Sequence, residues 1–147
     1  AADYGWEKYG LAPLFYTLEP GRDEEITRAA AALVKAPCKI LEPMADGAAL
    51  CGLMGMMELV VSMRLHALVF ACARQTRVAA ISYDPKVSGF MSYLGSDSCV
   101  ELEDVTVEAM KALVDRAMSE EAQHDNVAHL QALAQENGHL AAELLRS

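Results

Sequence analysis

Between residues 58 and 103 the hydrophobic period of the sequence switches four times in succession. ELVVSM is short, almost wholly apolar and rich in β-branched residues, as a strand covered on both faces should be. RLHALVFACARQ has the length of a helix, RVAAIS reads as a strand, DPKVSGFMSYLG as a helix closed by Gly95, and CVELE as a further strand. Strands this far apart in sequence cannot pair through tight hairpins. They need helical crossovers, which are right-handed between parallel strands. The stretch therefore specifies an α/β domain with a parallel, Rossmann-like sheet and helices on both faces.

The flanks continue the pattern. AADYGWEKYG reads as a helix ended by Gly10, PLFYTLEP as an aromatic strand, and CKILEP as a short strand before a weaker, glycine-containing helix, DGAALCGLMGMM. In DEEITRAAAALVKA a helical stripe of Ile26, Ala29, Ala30, Leu33 and Val34 is expected to face the core, behind an acidic first turn of Asp23, Glu24 and Glu25. Towards the C-terminus Val107, Met110, Leu113, Val114 and Met118 form another stripe. Ser119, Glu120 and Glu121 are expected to start a long last helix. There Val127, Leu130, Ala134, Ala141 and Leu144 keep a 3-4 spacing that Asn137 interrupts, a packing stripe rather than a coiled coil. Residues 1–147 thus read as a single Rossmann-like domain with long C-terminal helices and no internal repeat.

Charge and cysteine usage exclude several function classes. A formal net charge of −9 leaves no positive stripe for nucleic acid, so an anion must meet a local cationic pocket. Cys38, Cys51, Cys72 and Cys99 are widely spaced among apolar neighbours and read as reduced core thiols rather than metal ligands. His124, His129 and His139 have no metal-site spacing and read as solvated surface. The longest apolar run, around residues 65 to 73, stops at Arg74 and is too short to span a bilayer, and no signal-like segment opens the sequence. The cytoplasm is the expected compartment, with the inner face of the membrane as an alternative. No G-x-G-x-x-G or G-x-x-x-x-G-K-[ST] occurs, so neither dinucleotide nor P-loop binding is indicated.

Two helix starts break a rule. Arg64 with His66, and then Lys86, fall where a strand turns into a helix, and there the macrodipole favours anions. Asp84 is a good N-cap and Pro85 a good first residue, which brings Lys86 into the first turn. In an open α/β sheet these positions lie at the carboxyl ends of the strands, where ligands bind. Two such starts side by side, with cations and outward N–H groups, suit a phosphate or a carboxylate. By spacing alone His66 also fits a satisfied structural histidine, and Lys86 a solvated one.

The same residues carry a resemblance. ELVVSMRLHALVFACARQTRVAAISYDPKVSGF resembles the signature of the polysaccharide pyruvyltransferase family, of the CsaB type, whose R-L-H-A and S-Y-D-P-K elements sit one βα unit apart; His66 and Lys86 stand 20 positions apart here. The likeness runs more weakly through LEPGRDEEITRAAAALVKAPCKILEP and CVELEDVTVEAMKALVDRAM. It implies the C-terminal half of a GT-B-like, two-domain transferase. Such an enzyme moves the enolpyruvyl unit of phosphoenolpyruvate onto two hydroxyls of a cell-wall or exopolysaccharide sugar, free or lipid-linked, and releases phosphate.

On this resemblance Arg64 and the backbone at Leu65 hold phosphoenolpyruvate, while His66 and Lys86 are catalytic, handling protons and neutralising the phosphate respectively. No metal or other cofactor is required. The resemblance also implies an additional N-terminal domain, and a strand ahead of AADYGWEKYG that would be central in a sheet of 3-2-1-4-5 order. A gap there is expected to be closed by rearrangement, by strand exchange in a homo-oligomer, or by a segment outside this sequence, and the isolated chain is expected to be inactive. Two rival readings stay open: a GT-B glycosyltransferase half that binds a nucleotide-sugar, and a non-catalytic anion-binding module.

Overall fold

A computed structural model of the chain describes residues 1–19, 21–44, 46–120 and 124–145, with the side chains at 124–126, 140 and 141 left aside. The elements run α1 (Ala2–Tyr9), β1 (Leu14–Tyr16), α2 (Glu24–Ala32), β2 (Lys39–Leu41), α3 (Gly47–Met54), β3 (Leu59–Ser62), α4 (Leu65–Ala73), β4 (Arg77–Ser82), α5 (Pro85–Tyr93), β5 (Cys99–Glu101), a 3-10 turn at Leu102–Asp104, α6 (Val107–Ser119) and α7 (His124–Leu144). Every strand pairing is parallel, and the fold is the expected α/β, Rossmann-like one.

The helix ends follow local chemistry. Gly10 closes α1 at a φ of 72°, and Gly95 follows α5 at 65°, both in the left-handed region that glycine enters without penalty. Asp46, Asp84 and Thr106 each cap the helix that follows by accepting a backbone N–H.

Alternation along the strands explains why both faces are covered. Val60, Val78 and Ala80 join a core with Ala67, Leu68, Ala71 and Cys72 of α4 and Val87 and Met91 of α5. Ala79, flanked by Leu59, Ile81 and Val100, points the other way onto Leu113 and Ala117 of α6. Neighbouring residues of β3, β4 and β5 thus serve opposite faces, as the strand period of two demands.

The sheet is discontinuous. β1 pairs with β2, and β3-β4-β5 form a second sheet, so β1 and β3 each keep one edge without a strand partner among the described residues. Tyr16 and Leu18 pack against the core that α4 builds with β3 and β4, which makes β1 the nearer strand to β3. The order β2-β1, break, β3-β4-β5 is that of a six-stranded 3-2-1-4-5-6 sheet without its first strand. No rearrangement closes the break within the described residues.

Three expectations from the sequence are corrected. On α2 the stripe turns outwards: Ile26 is 70% and Leu33 82% exposed, Ala29 and Ala30 are exposed, and Val34 is half-buried. The helix packs instead through Thr27 and Ala31, because the narrow β1-β2 sheet offers it one small surface, and Thr27 Oγ1 meets Thr17 Oγ1 at 3.0 Å. Secondly, Ser119 and Glu120 end α6 rather than begin α7; Glu121 lies outside the described residues. The cause is long-range: the Glu120 carboxylate accepts from Ser96 Oγ at 2.7 Å and Ser98 Oγ at 2.8 Å. Finally, α7 packs on the core through Val127 and Leu130 of its first turns; Ala134 and Leu144 are exposed, and the Ala141 side chain lies outside the described residues. On α6, Leu113 and Val114 are buried, Met110 and Met118 half-buried, and Val107 exposed.

A polar clamp ties α1 to α6. Asp115 accepts from Tyr4 Oη, Tyr9 Oη at 2.7 Å and Lys8 Nζ at 2.8 Å. At the other side of α1, Asp3 Oδ1 accepts the backbone N–H groups of Lys35 and Ala36 just before β2. Thus α1 holds to both β2's approach and α6, bridging elements of the two sheets. Among the described residues no helix is long and apolar enough to cross a membrane.

Candidate functional site

β3 and β4 are adjacent and in register from Leu59 opposite Arg77 to Ser62 opposite Ala80, so the turns that leave them lie side by side at the carboxyl edge. Both turns use the same device. Ser62 Oγ accepts the Arg64 N–H at 2.9 Å and lies 3.3 Å from the Arg64 carbonyl; Ser82 Oγ donates to the Asp84 carbonyl at 3.4 Å. Serine hydroxyls bonding two residues ahead fix the chain direction as each helix begins. α4 and α5 then run back along the same face, since both contribute to one core. Arg64, Leu65, His66 and Lys86 are thereby brought to one edge and one face of the sheet.

The two helix starts differ in what they leave open. At α5 the Lys86 N–H donates to Asp84 Oδ1 at 2.8 Å, the Val87 N–H to the Asp84 carbonyl at 2.9 Å, and Pro85 has no N–H to offer. That terminus is satisfied. At α4 the cap position is Arg64, whose side chain makes no cap bond. The Ala67 N–H reaches the Arg64 carbonyl at 3.1 Å, while the N–H groups of Leu65 and His66 have no partner among the described residues. The open donors that an anion needs are therefore at Leu65 and His66. Lys86 can add only its exposed ammonium.

His66 is exposed, and Leu65 is half-buried against the core, which anchors the turn. Arg64 is already engaged. Its Nη2 donates to Glu19 Oε2 at 2.6 Å and to Asp23 Oδ2 at 2.7 Å, and these bonds, with Asp23 first and Glu19 second, hold the guanidinium pKa above its ordinary value. Sequence reasoning read Asp23 as part of an acidic helix start and did not connect it or Glu19 to the site. Their one local signal is that both follow β1 at the carboxyl edge, as Arg64 follows β3.

Further along that edge, beyond β1, a cavity of about 240 Å³ opens between α2 and the end of β2. Thr17, Glu24, Thr27, Arg28 and Glu42 give it polar walls, with Ile40 and Pro43 beside them. The described residues contain no group of three or more His, Cys, Asp or Glu side chains placed to hold a metal ion. Cys72 is buried and its thiol is pushed up to about 12 by that burial, which makes it inert; Cys38, Cys51 and Cys99 are half-buried, and all four are free.

A family model described as polysaccharide pyruvyl transferase matches residues 3–85, more than half of the chain. The match takes in α1 through the start of α5, with Arg64, Leu65 and His66 inside it, and ends one residue before Lys86. No curated protein matches the chain.

Proposed function

The chain belongs to the polysaccharide pyruvyl transferase family, and from that premise we propose that it is the donor-binding, C-terminal part of a two-domain enzyme. That enzyme transfers the enolpyruvyl unit of phosphoenolpyruvate to a glycan or lipid-linked sugar in the cytoplasm, forming a pyruvate ketal and inorganic phosphate. The observation that carries the reading is the open start of α4, where the N–H groups of Leu65 and His66 stand beside the His66 imidazole and next to the turn bearing Lys86.

The chemistry divides among these groups. Protonation of the donor at C3 makes C2 electrophilic, and one sugar hydroxyl adds there while a base removes its proton. Phosphate leaves, and the second hydroxyl captures the oxocarbenium-like centre with loss of its own proton. His66 takes the acid-base work, its two ring nitrogens being able to give and accept a proton. The Leu65 N–H and the positive end of α4 hold an anionic group of the donor. Lys86 stabilises the charge that grows on the departing phosphate, and Arg64 offers its remaining donors to the same anion. The acceptor surface belongs to the other domain of the enzyme, so the 147-residue chain by itself does not turn over.

The test is phosphate release from phosphoenolpyruvate by the full-length enzyme against a panel of cell-wall glycans. Acceptor-dependent release, with protection of the α4 start by phosphoenolpyruvate, is expected. Protection by a UDP-sugar instead, with no phosphate released, would overturn the reading in favour of a glycosyltransferase half.

A further inference from the structure

Asp23 stands at the cap position of α2, where an aspartate ordinarily accepts an N–H of its own helix, yet it makes no such bond. Its carboxylate is diverted to Arg64, 41 positions along the chain, and Glu19 meets the same nitrogen from 45 positions away. Both bonds reach from the turn after β1 to the turn after β3, across the break between the two sheets.

We propose that Glu19 and Asp23 are positioning residues: they hold the Arg64 guanidinium by one nitrogen and leave Nη1 and Nε for the anionic donor. The proposal rests on the donor-binding reading above. An ion pair for stability is a poor alternative account, because all three side chains are between 31% and 42% exposed and such pairs contribute little. The geometry explains what stability does not. Nη2 has two hydrogens, one for each carboxylate, so both are used. Nη1 and Nε, with three more hydrogens in the same rigid plane, make no bond among the described residues. Fixing one nitrogen of a planar fork fixes the direction of the others, which removes rotamer freedom before the ligand arrives. Arg22 Nη1 meets the other oxygen of Glu19 at 3.4 Å, so the two carboxylates are balanced by two guanidinium groups and the cluster carries no net charge to repel an anion.

Two measurements test this. In the full-length enzyme Glu19→Ala and Asp23→Ala should each raise KM for phosphoenolpyruvate on the order of tenfold, with kcat changed far less. Asp23→Asn, whose amide oxygen still accepts from Nη2, should recover most of the loss, and Asp23→Ala should add nothing once Arg64→Ala is present. Unchanged KM in both alanine variants, or a fully additive loss on Arg64→Ala, overturns the proposal. In the 147-residue chain, the Arg64 guanidinium NMR signals should be resolved by hindered rotation and should average in Asp23→Ala. Averaged signals already in the unsubstituted chain overturn it too, whatever the enzyme does. Absence of phosphate release by the unsubstituted enzyme would instead sink the functional reading, with the NMR result still deciding whether Arg64 is held.

Discussion

Asp84 caps the start of the helix whose first turn holds Lys86: Asp84 Oδ1 accepts the Lys86 N–H at 2.8 Å, two residues on. At the equivalent turn Arg64 caps α4 with no side-chain bond, so the two helix starts share a serine turn but differ in what they offer a ligand. Replacing the cap by Asp84→Ala should cost about 1 kcal/mol in denaturant-induced unfolding, the usual value for a lost N-cap. An unchanged midpoint would show that the bond does not hold the α5 start.

His66→Ala and Lys86→Ala should each lower kcat/KM of the full-length enzyme on the order of 10²-fold or more, as for the loss of a transition-state contact. Lys86→Ala should also raise KM, since in the proposed mechanism it removes the charge that faces the phosphate, and Lys86→Arg should restore part of it. Near-normal turnover in either alanine variant would remove that residue from the mechanism.

The clamp on Asp115 predicts an acid-sensitive junction between α1 and α6. Lys8 first, then Tyr9 and Tyr4, hold the Asp115 carboxyl down to about 2. A depressed carboxyl stabilises the folded state fully above its unfolded value, about 4, and loses that effect as pH falls through about 2. Asp115→Asn should therefore lower the melting temperature at neutral pH, and the gap from the unsubstituted chain should close towards pH 2. A gap that is constant with pH would refute the assignment. Tyr9 is shifted upwards, first by its bond to Asp115, so its contribution is present below the ordinary tyrosine range and fades as pH rises through and above that range.

Apolar residues of α2 and α6 should respond oppositely to truncation. Leu113 is fully buried against Ala79, and Leu113→Ala should destabilise by roughly 2 to 5 kcal/mol. Ile26→Ser and Leu33→Ser, on the exposed side of α2, should change stability by no more than about 0.5 kcal/mol. Large losses at Ile26 or Leu33 in dilute chain would show that this side of α2 is covered in solution.

The order of elements, the parallel pairing and the position of Arg64, His66 and Lys86 at βα turns were all legible beforehand. Each depends on local signals. RVAAIS coincides with β4 to the residue, and Asp84-Pro85 marks the start of α5. Strand length, β-branching, caps and left-handed glycines act within a few residues, so the sequence displays them directly. A family resemblance resting on the same turns extended that reading to chemistry, and the family match contains Arg64, Leu65 and His66.

Tertiary structure decided what depends on distant neighbours. The period of α2 specified an apolar stripe but not the surface it would meet; with only β1 and β2 beneath it, Thr27 and Ala31 pack and Ile26 and Leu33 do not. Nothing near Glu120 indicates that Ser96 and Ser98 draw it out of a helix start. Arg64 is set by Asp23 and Glu19, more than 40 positions away, because the turns after β1 and β3 reach the same edge on either side of a break in the sheet. Hydrophobic period and turn chemistry are properties of a segment, and from them the chain alone determined its elements and the edge where the candidate site lies. Which donors at that edge stay open, and which are taken, follows from contacts between segments, and only the folded arrangement settles those.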